Sequence, residues 1–307
     1  MQTILVTGSN GLLGQKIIYS LRGRPEVNCI AVSRGPDRLL VKNGYRYEEM
    51  DLNDAKSWTD LFRKVKPDSV IHTAALTNVD ACESKKEEAW KTNVEMVGRL
   101  LEECKKHQSH LVHLSTDFVF DGVNGPYVET DKPNPLSYYA RTKYEAEKLI
   151  EASAVTSAIL RTIIIYGVVD DNSRSNVVLW AVNSLLQGKT ISVINDQYRS
   201  PTLAEDLADA CIEAALRKTC GIYHVSGREL MCLLDLVKVT ADYFGLDKNL
   251  IVPISSEALN QPAKRPPITG FLLDKAERDL AFRPHSFLEG LSVIKNQLKL
   301  VGYSFSS

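Results

Sequence analysis

The chain has 307 residues, 44% of them hydrophobic and 24% charged, with a formal net charge of -1. That length holds one large or two small cores, and the composition excludes an intrinsically disordered polymer. Near-neutrality argues against a nucleic-acid or membrane-surface partner, since both select basic surfaces. Six cysteines stand apart, at Cys29, Cys82, Cys104, Cys211, Cys220 and Cys232. None forms a C-x-x-C pair, and no His/Cys group has zinc-ligand spacing, so buried free thiols in a reducing compartment are expected. The N-terminus enters a strand at once, and no apolar run reaches the roughly 18 residues of a membrane span. The expectation is a soluble, cytoplasmic protein.

The first half alternates strand-like and helix-like segments. TILVTG (Thr3–Gly8) is a continuous apolar run, as in a strand buried on both faces. LLGQKIIYSLR follows with apolar residues at helical spacing. NCIAVS (Asn28–Ser33) is the second strand, YRYEEMDL the third, PDSVIHTAA (Pro67–Ala75) the fourth, HLVHLST (His110–Thr116) the fifth and SAILRTIIIYG (Ser157–Gly167) the sixth. Helices are predicted between most of them, notably over Glu87–His107 and Ser137–Ser153. This alternation predicts an α/β fold of the Rossmann type, a doubly wound parallel sheet covered on both faces.

The pattern loosens after Gly167. SRSNVVLWAVNSLLQG reads as a helix closed by Gly188. LAEDLADACIEAALRK (Leu203–Lys218) reads as another with an acidic first turn, as the helix dipole favours. GIYHVSG is a short strand, and NQPAKRPPITGFLLDKAERDLAF a proline-rich loop leading into a helix. Residues 1–166 plus about 200–226 are expected to form a dinucleotide-binding domain. Residues 167–199 plus 227–307 are expected to form a smaller C-terminal α/β substrate-binding domain.

GSNGLLG places Gly8, Gly11 and Gly14 between the first strand and the first helix. A helix N-terminus offers free N–H groups and partial positive charge to a pyrophosphate, and glycine lets the backbone turn sharply and the phosphates approach. A glycine triplet alone is weak evidence, but here it has the strand–turn–helix context. The second strand ends at Ser33-Arg34, where an acidic residue would bind a ribose hydroxyl and a basic one a 2′-phosphate. A hydroxyl and a guanidinium suit the phosphate, so NADPH is favoured over NADH, with Arg34 as a solvated loop residue the simpler reading. Asp51-Leu52 fall where the adenine edge would lie. Ala74-Ala75 are small enough to let a cofactor lie against the sheet.

YYARTK carries Tyr139 and Lys143 four apart, on one face of a predicted helix. A free phenol titrates near 10 and is a poor proton shuttle at neutral pH; an adjacent ammonium is expected to lower that value. The phenol then gives its proton to a ketone oxygen as hydride reaches the carbon. Lys143 is also placed to donate to the nicotinamide ribose. The pair alone is a weak motif, and its position after the fifth strand gives it weight. That strand ends in Ser115, Thr116 and Asp117, and parallel strands end at the ligand crevice. Thr116 is expected to orient the substrate oxygen. Asp117 has an alternative as a turn cap.

The stretches STDFVFDG, PNPLSYYARTKYEAE, HTAALTNVDACE and AKRPPITGFLLDKAERDLAF resemble the dTDP-4-dehydrorhamnose reductases of the extended short-chain dehydrogenase/reductase family, over nearly the whole chain. The resemblance implies hydride delivery to C4 of dTDP-4-dehydro-6-deoxy-L-mannose. It implies Tyr139 as acid, Lys143 as its helper, and Thr116, Asp117 and Phe118 on the sugar. The cofactor residues it implies are Gly8, Asn10, Gly11, Leu12, Leu13, Gly14, Ser33, Arg34, Asp51, Leu52, Ala74, Ala75, Thr77 and Ser115, with Tyr139 and Lys143. Arg199 and Arg265 would contact the nucleotide diphosphate, with plain surface charge as the alternative for each. Ile164 stands where the family's pattern has an aromatic residue near the sugar. No metal is implied, and a homodimer is compatible with the likeness. The same motifs resemble the regulatory beta subunit of methionine adenosyltransferase, which binds a dinucleotide as a partner subunit. A sugar-nucleotide epimerase is a third reading. A dehydratase is disfavoured, since Phe118 follows Thr116-Asp117 where those enzymes carry glutamate. His72 and His113, near strand ends, are read as packing groups rather than metal ligands.

Overall fold

The computed structural model describes residues 1–170, 175–300 and 303. Its elements run β1 (Gln2–Thr7), α1 (Leu12–Leu21), β2 (Val27–Ser33), β3 (Arg46–Glu49), α2 (Ala55–Val65), β4 (Ser69–His72), α3 (Val79–Ser84), α4 (Lys86–Trp90), α5 (Met96–His107), β5 (His110–Thr116), α6 (Tyr138–Glu151) and β6 (Ser157–Thr162). There follow β7 (Ile165–Tyr166), α7 (Val177–Leu186), β8 (Ile191–Ile194), β9 (Tyr198–Arg199), β10 (Thr202–Leu203), α8 (Ala204–Arg217) and β11 (Gly221–His224). The last are β12 (Met231–Cys232), α9 (Leu233–Phe244), β13 (Ile251–Ile254), α10 (Ser256–Leu259), β14 (Ile268–Thr269), α11 (Asp274–Asp279) and α12 (Phe287–Leu300).

Seven strands form one parallel sheet in the order β11-β6-β5-β4-β1-β2-β3. Alternation along each strand decides which helices it meets. Ile4, Val6, Ile71, Val112 and Leu160 point to one face and pack on α1 and α8. Leu5, Val70, Leu111 and Ile159 point to the other, against α2, α5 and α6. Both faces are therefore dry, which is why these strands read as unbroken apolar runs. A separate core gathers α7, α9 and α12 with β8 and β13, around Val182, Leu236, Phe244 and Leu291. The segment from 200 to 226 holds α8 and β11, and β11 extends the large sheet beside β6.

Three local readings shift. The third strand stops at Glu49, so Asp51 and Leu52 lie in the turn after it. The helix expected over Glu87–His107 contains a π-helical turn at Lys91–Glu95 between α4 and α5. The helix expected from Ser173 begins at Val177, and residues 173 and 174 lie outside those described.

The sheet reverses its winding between β1 and β4, so a crevice opens beyond the carboxyl ends of those strands. Two glycines let α1 start there. Gly8 has φ 71°, and a side chain on it would meet Thr73 Oγ1 at 2.7 Å and the Ala74 backbone nitrogen at 2.8 Å. A Cβ on Gly14 would lie 2.4 Å from the Gly8 carbonyl oxygen, so helix and turn touch backbone to backbone.

Candidate active site

A cleft of about 920 Å³ occupies this crevice. Its lining includes Gly8, Gly11, Leu12, Leu13, Ser33, Arg34, Asp51, Leu52, Ala74, Ala75 and Thr77 from the nucleotide half of the expected set. Ser115, Thr116, Asp117, Phe118, Tyr139, Lys143 and Ile164 line it as well. One surface thus joins the ends of β1, β2, β4 and β5 to the inner face of α6.

The start of α1 is Gly11, with no side-chain cap and no acidic residue in the first turn. Free N–H groups and the helix dipole therefore face the cleft unopposed, an arrangement that fits a pyrophosphate. By contrast, Asp54, Ser137 and Asn176 cap α2, α6 and α7 with their side chains.

Tyr139 and Lys143 are buried, at 9% and 3% exposure. The sequence places them on one face and predicts that the ammonium makes the phenol more acidic; burial reverses the sign. Desolvation raises the Tyr139 pKa, against a hydrogen bond from the Thr116 side, while the Asp117 carboxylate and Cys82 push it up further. Lys143 is not among the groups that move it. The lysine Nζ sits 3.1 Å from His113 Nε2, and burial brings its own pKa down to about 8, partly opposed by Glu147.

Thr116 caps the short turn that follows β5. Its Oγ1 accepts from the Phe118 backbone N–H at 3.2 Å and donates to Asp117 Oδ1 at 3.1 Å. Asp117 is buried, accepts from the Thr269 hydroxyl and has Arg199 Nε at 3.8 Å. Burial raises its pKa even so, outweighing the downward pull of Arg199, Thr269 and Thr116. Phe118 stands edge-on to Tyr139, ring centroids 6.4 Å apart. Ile164 has φ 29°, a strained conformation for a β-branched residue, and its carbonyl accepts from Thr202 N at 3.1 Å.

Four expected site residues lie elsewhere. Arg199 is 1% exposed, because β9 runs between β12 and β14. Its guanidinium donates to the carbonyls of Pro266 and Pro267 and to Gln197, so it ties strands together instead of facing a diphosphate. Arg265 is paired with Asp80 at 2.7 and 3.1 Å and donates to the Ala263 carbonyl, outside the cleft lining. Asn10 is turned away from the cleft, donating to the Pro36 carbonyl at 3.0 Å and accepting from Arg38 N at 3.0 Å. It fastens the glycine turn to the loop after β2. Gly14 serves packing and does not line the cleft.

Sequence reasoning missed Asn93, in the π-helical turn. Its buried amide donates to the Leu76 carbonyl at 3.1 Å and to Thr142 Oγ1 at 3.0 Å, and its oxygen accepts from Leu76 N at 2.8 Å. It locks the loop after β4 against α6. A polar residue on the apolar stripe of a helix was the available signal. Lys91 and Thr92, from the same turn, line the cleft. All six cysteines are free, and five are buried. Among the described residues no group of three His, Cys, Asp or Glu side chains is arranged to hold a metal, and no helix is long and apolar enough to cross a membrane.

Sheet order, uncapped α1 and the buried tyrosine–lysine helix are those of a Rossmann-type short-chain dehydrogenase/reductase of the extended kind. Within that class the chain belongs to the family described as the RmlD substrate binding domain, whose sequence pattern matches residues 1–300. Methionine adenosyltransferase 2 subunit beta of Rattus norvegicus is 31% identical over 257 residues, 82% of this chain and 75% of the relative. A dTDP-4-dehydrorhamnose reductase of Clostridium acetobutylicum superposes with a TM-score of 0.84 at 28% identity, covering 97% of this chain and 100% of that one. The dTDP-4-dehydrorhamnose reductase of Bacillus anthracis, solved in complex with NADP, gives 0.83 at 25% identity over 97% and 100% of the two chains.

Proposed function

We propose that this chain reduces the C4 ketone of a dTDP-4-dehydro-6-deoxy sugar with NADPH. The observation that carries the reading is Tyr139 buried in the cleft wall beside Thr116, across from the uncapped start of α1. The likeness to reductases of that sugar nucleotide supports the substrate class.

NADPH, when bound, supplies the hydride. Gly11, Leu12 and Leu13 would hold its phosphates at the start of α1, and Ser33 and Arg34 its 2′-phosphate. Thr116 and Tyr139 orient the ketone oxygen, and the Tyr139 phenol donates the proton that this oxygen needs as its carbonyl is reduced. Burial favours the neutral phenol, so the acid stays loaded throughout the neutral range. Lys143, one turn further along the same helix, would donate to the nicotinamide ribose. Asp117 and Phe118 bound the sugar side. Residues 167–199 and 227–307 would carry the rest of the sugar nucleotide.

A second reading, a dinucleotide-binding regulatory subunit, is supported by the 31% identity to the rat beta subunit. Purified chain incubated with NADPH and a panel of 4-keto sugar nucleotides separates the two. Oxidation of NADPH in proportion to sugar reduced supports the reductase. Tight NADPH binding without turnover on any member supports the subunit.

A further inference from the structure

His113 lies in β5, two residues before Ser115, with its ring 1% exposed. While Lys143 is charged it has protons to give and no lone pair, so at 3.1 Å the imidazole Nε2 accepts from its Nζ. In that state His113 is neutral, with its proton on Nδ1. Burial and the lysine charge both favour that state. Behind it His72, its register partner on β4, stacks at 5.5 Å between ring centroids. His72 Nδ1 lies 2.8 Å from Thr7 Oγ1. Nδ1 of His113 and Nε2 of His72 are buried without a hydrogen-bond partner among the described residues. Two histidines in a dry core, with polar atoms unmatched, are costly for packing alone.

The groups facing Lys143 decide what that cost achieves. Glu147 approaches from α6, His113 from β5 and His72 from β4; Tyr139, one turn earlier on α6, is influenced by Thr116 and Asp117 instead. Glu147 is engaged with Arg161 of β6 at 2.7 and 3.0 Å, leaving His113, among the described residues, as the acceptor that touches the ammonium.

We propose, resting on the reductase reading above, that His113 is the positioning residue for Lys143. Its bare Nε2 takes one ammonium proton on the sheet side, stabilises the charged lysine inside the protein, and leaves the other N–H groups for the cleft. A hydrogen bond to the charged form raises a group's pKa, so removing the acceptor lowers that of Lys143.

The test is the titration of Lys143 in the ligand-free chain, followed by carbon NMR of ε-labelled lysine. Wild type should titrate near 8. His113→Leu should move the midpoint down by about one unit, a tenfold loss of proton affinity. His113→Gln, whose carbonyl oxygen reaches about as far as Nε2, should restore the wild-type value. An unchanged midpoint in His113→Leu overturns the proposal, as does a wild-type nitrogen spectrum showing a proton on His113 Nε2. If the leucine variant fails to fold, that spectrum and the glutamine variant decide. The alkaline limb of turnover should shift with the lysine midpoint. A wild type inert on every 4-keto sugar nucleotide sinks the reductase reading, and the lysine titration still judges the contact.

Discussion

The buried pair Glu147–Arg161 ties α6 to β6 directly behind the catalytic face. Both side chains are sealed, at 0% and 2% exposure, and joined by two hydrogen bonds of 2.7 and 3.0 Å. Among the described residues Arg161 has, beyond the carboxylate, His224 Nε2 at 3.4 Å and the Phe120 ring at 5.1 Å. Glu147→Leu would strand a guanidinium in the interior, a defect that costs about 3–5 kcal/mol. For a chain of this size that is roughly a 6–10 °C fall in Tm, at about 2 °C per kcal/mol. Replacing both, Glu147→Leu with Arg161→Met, removes the stranded charge and should recover most of the loss. Urea unfolding of the four members of this cycle measures it. A single variant costing under about 1 kcal/mol, or a double variant as unstable as the single, would refute the reasoning.

Gly8→Ala forces a side chain into a left-handed turn and onto Thr73 and Ala74; fluorescence titration should show NADPH affinity at least about tenfold weaker, the equivalent of 1.4 kcal/mol. Arg34→Ala should weaken NADPH about tenfold and leave NADH nearly unchanged, and equal losses for both cofactors would remove the 2′-phosphate contact. Burial holds His72 and His224 neutral, with pKa values down to about 3, and His113 well below its ordinary value. Between pH 6.5 and about 3 the unfolded chain binds protons that the folded one refuses, so stability falls as pH falls. At pH 5 the loss is roughly 2 kcal/mol for each of His72 and His224, with His113 adding in the same direction. His285, raised by its bond to Asp206, works in the opposite direction, its contribution complete below 6.5 and lost as pH rises through its folded value. A urea midpoint that is flat from pH 6.5 to 5 would contradict the neutral assignment of the three.

Features that are local in the chain were legible. The strands could be read because both faces of the sheet are dry, and the glycine turn because its strictures concern neighbouring residues. Tyr139 and Lys143 share a face by helix geometry alone. Arg199 and Arg265 could not be placed this way. Whether a guanidinium meets a ligand or a carbonyl depends on β9 pairing with β14, nearly seventy residues on. The acidity of Tyr139 was misjudged for a related reason. Spacing reveals the neighbouring charge, whereas burial, which dominates, comes from packing of the whole fold. Asn93 was hidden because a π-helical turn looks like ordinary helix in sequence.

The central claim is that Tyr139 is the proton donor in a dinucleotide cleft, and Tyr139→Phe tests it most directly. The substitution deletes one oxygen and keeps the ring against Phe118. With a 4-keto sugar nucleotide that wild type reduces, the variant should bind NADPH with nearly unchanged affinity and lose at least about a hundredfold in kcat. Wild-type turnover in the variant would contradict the account.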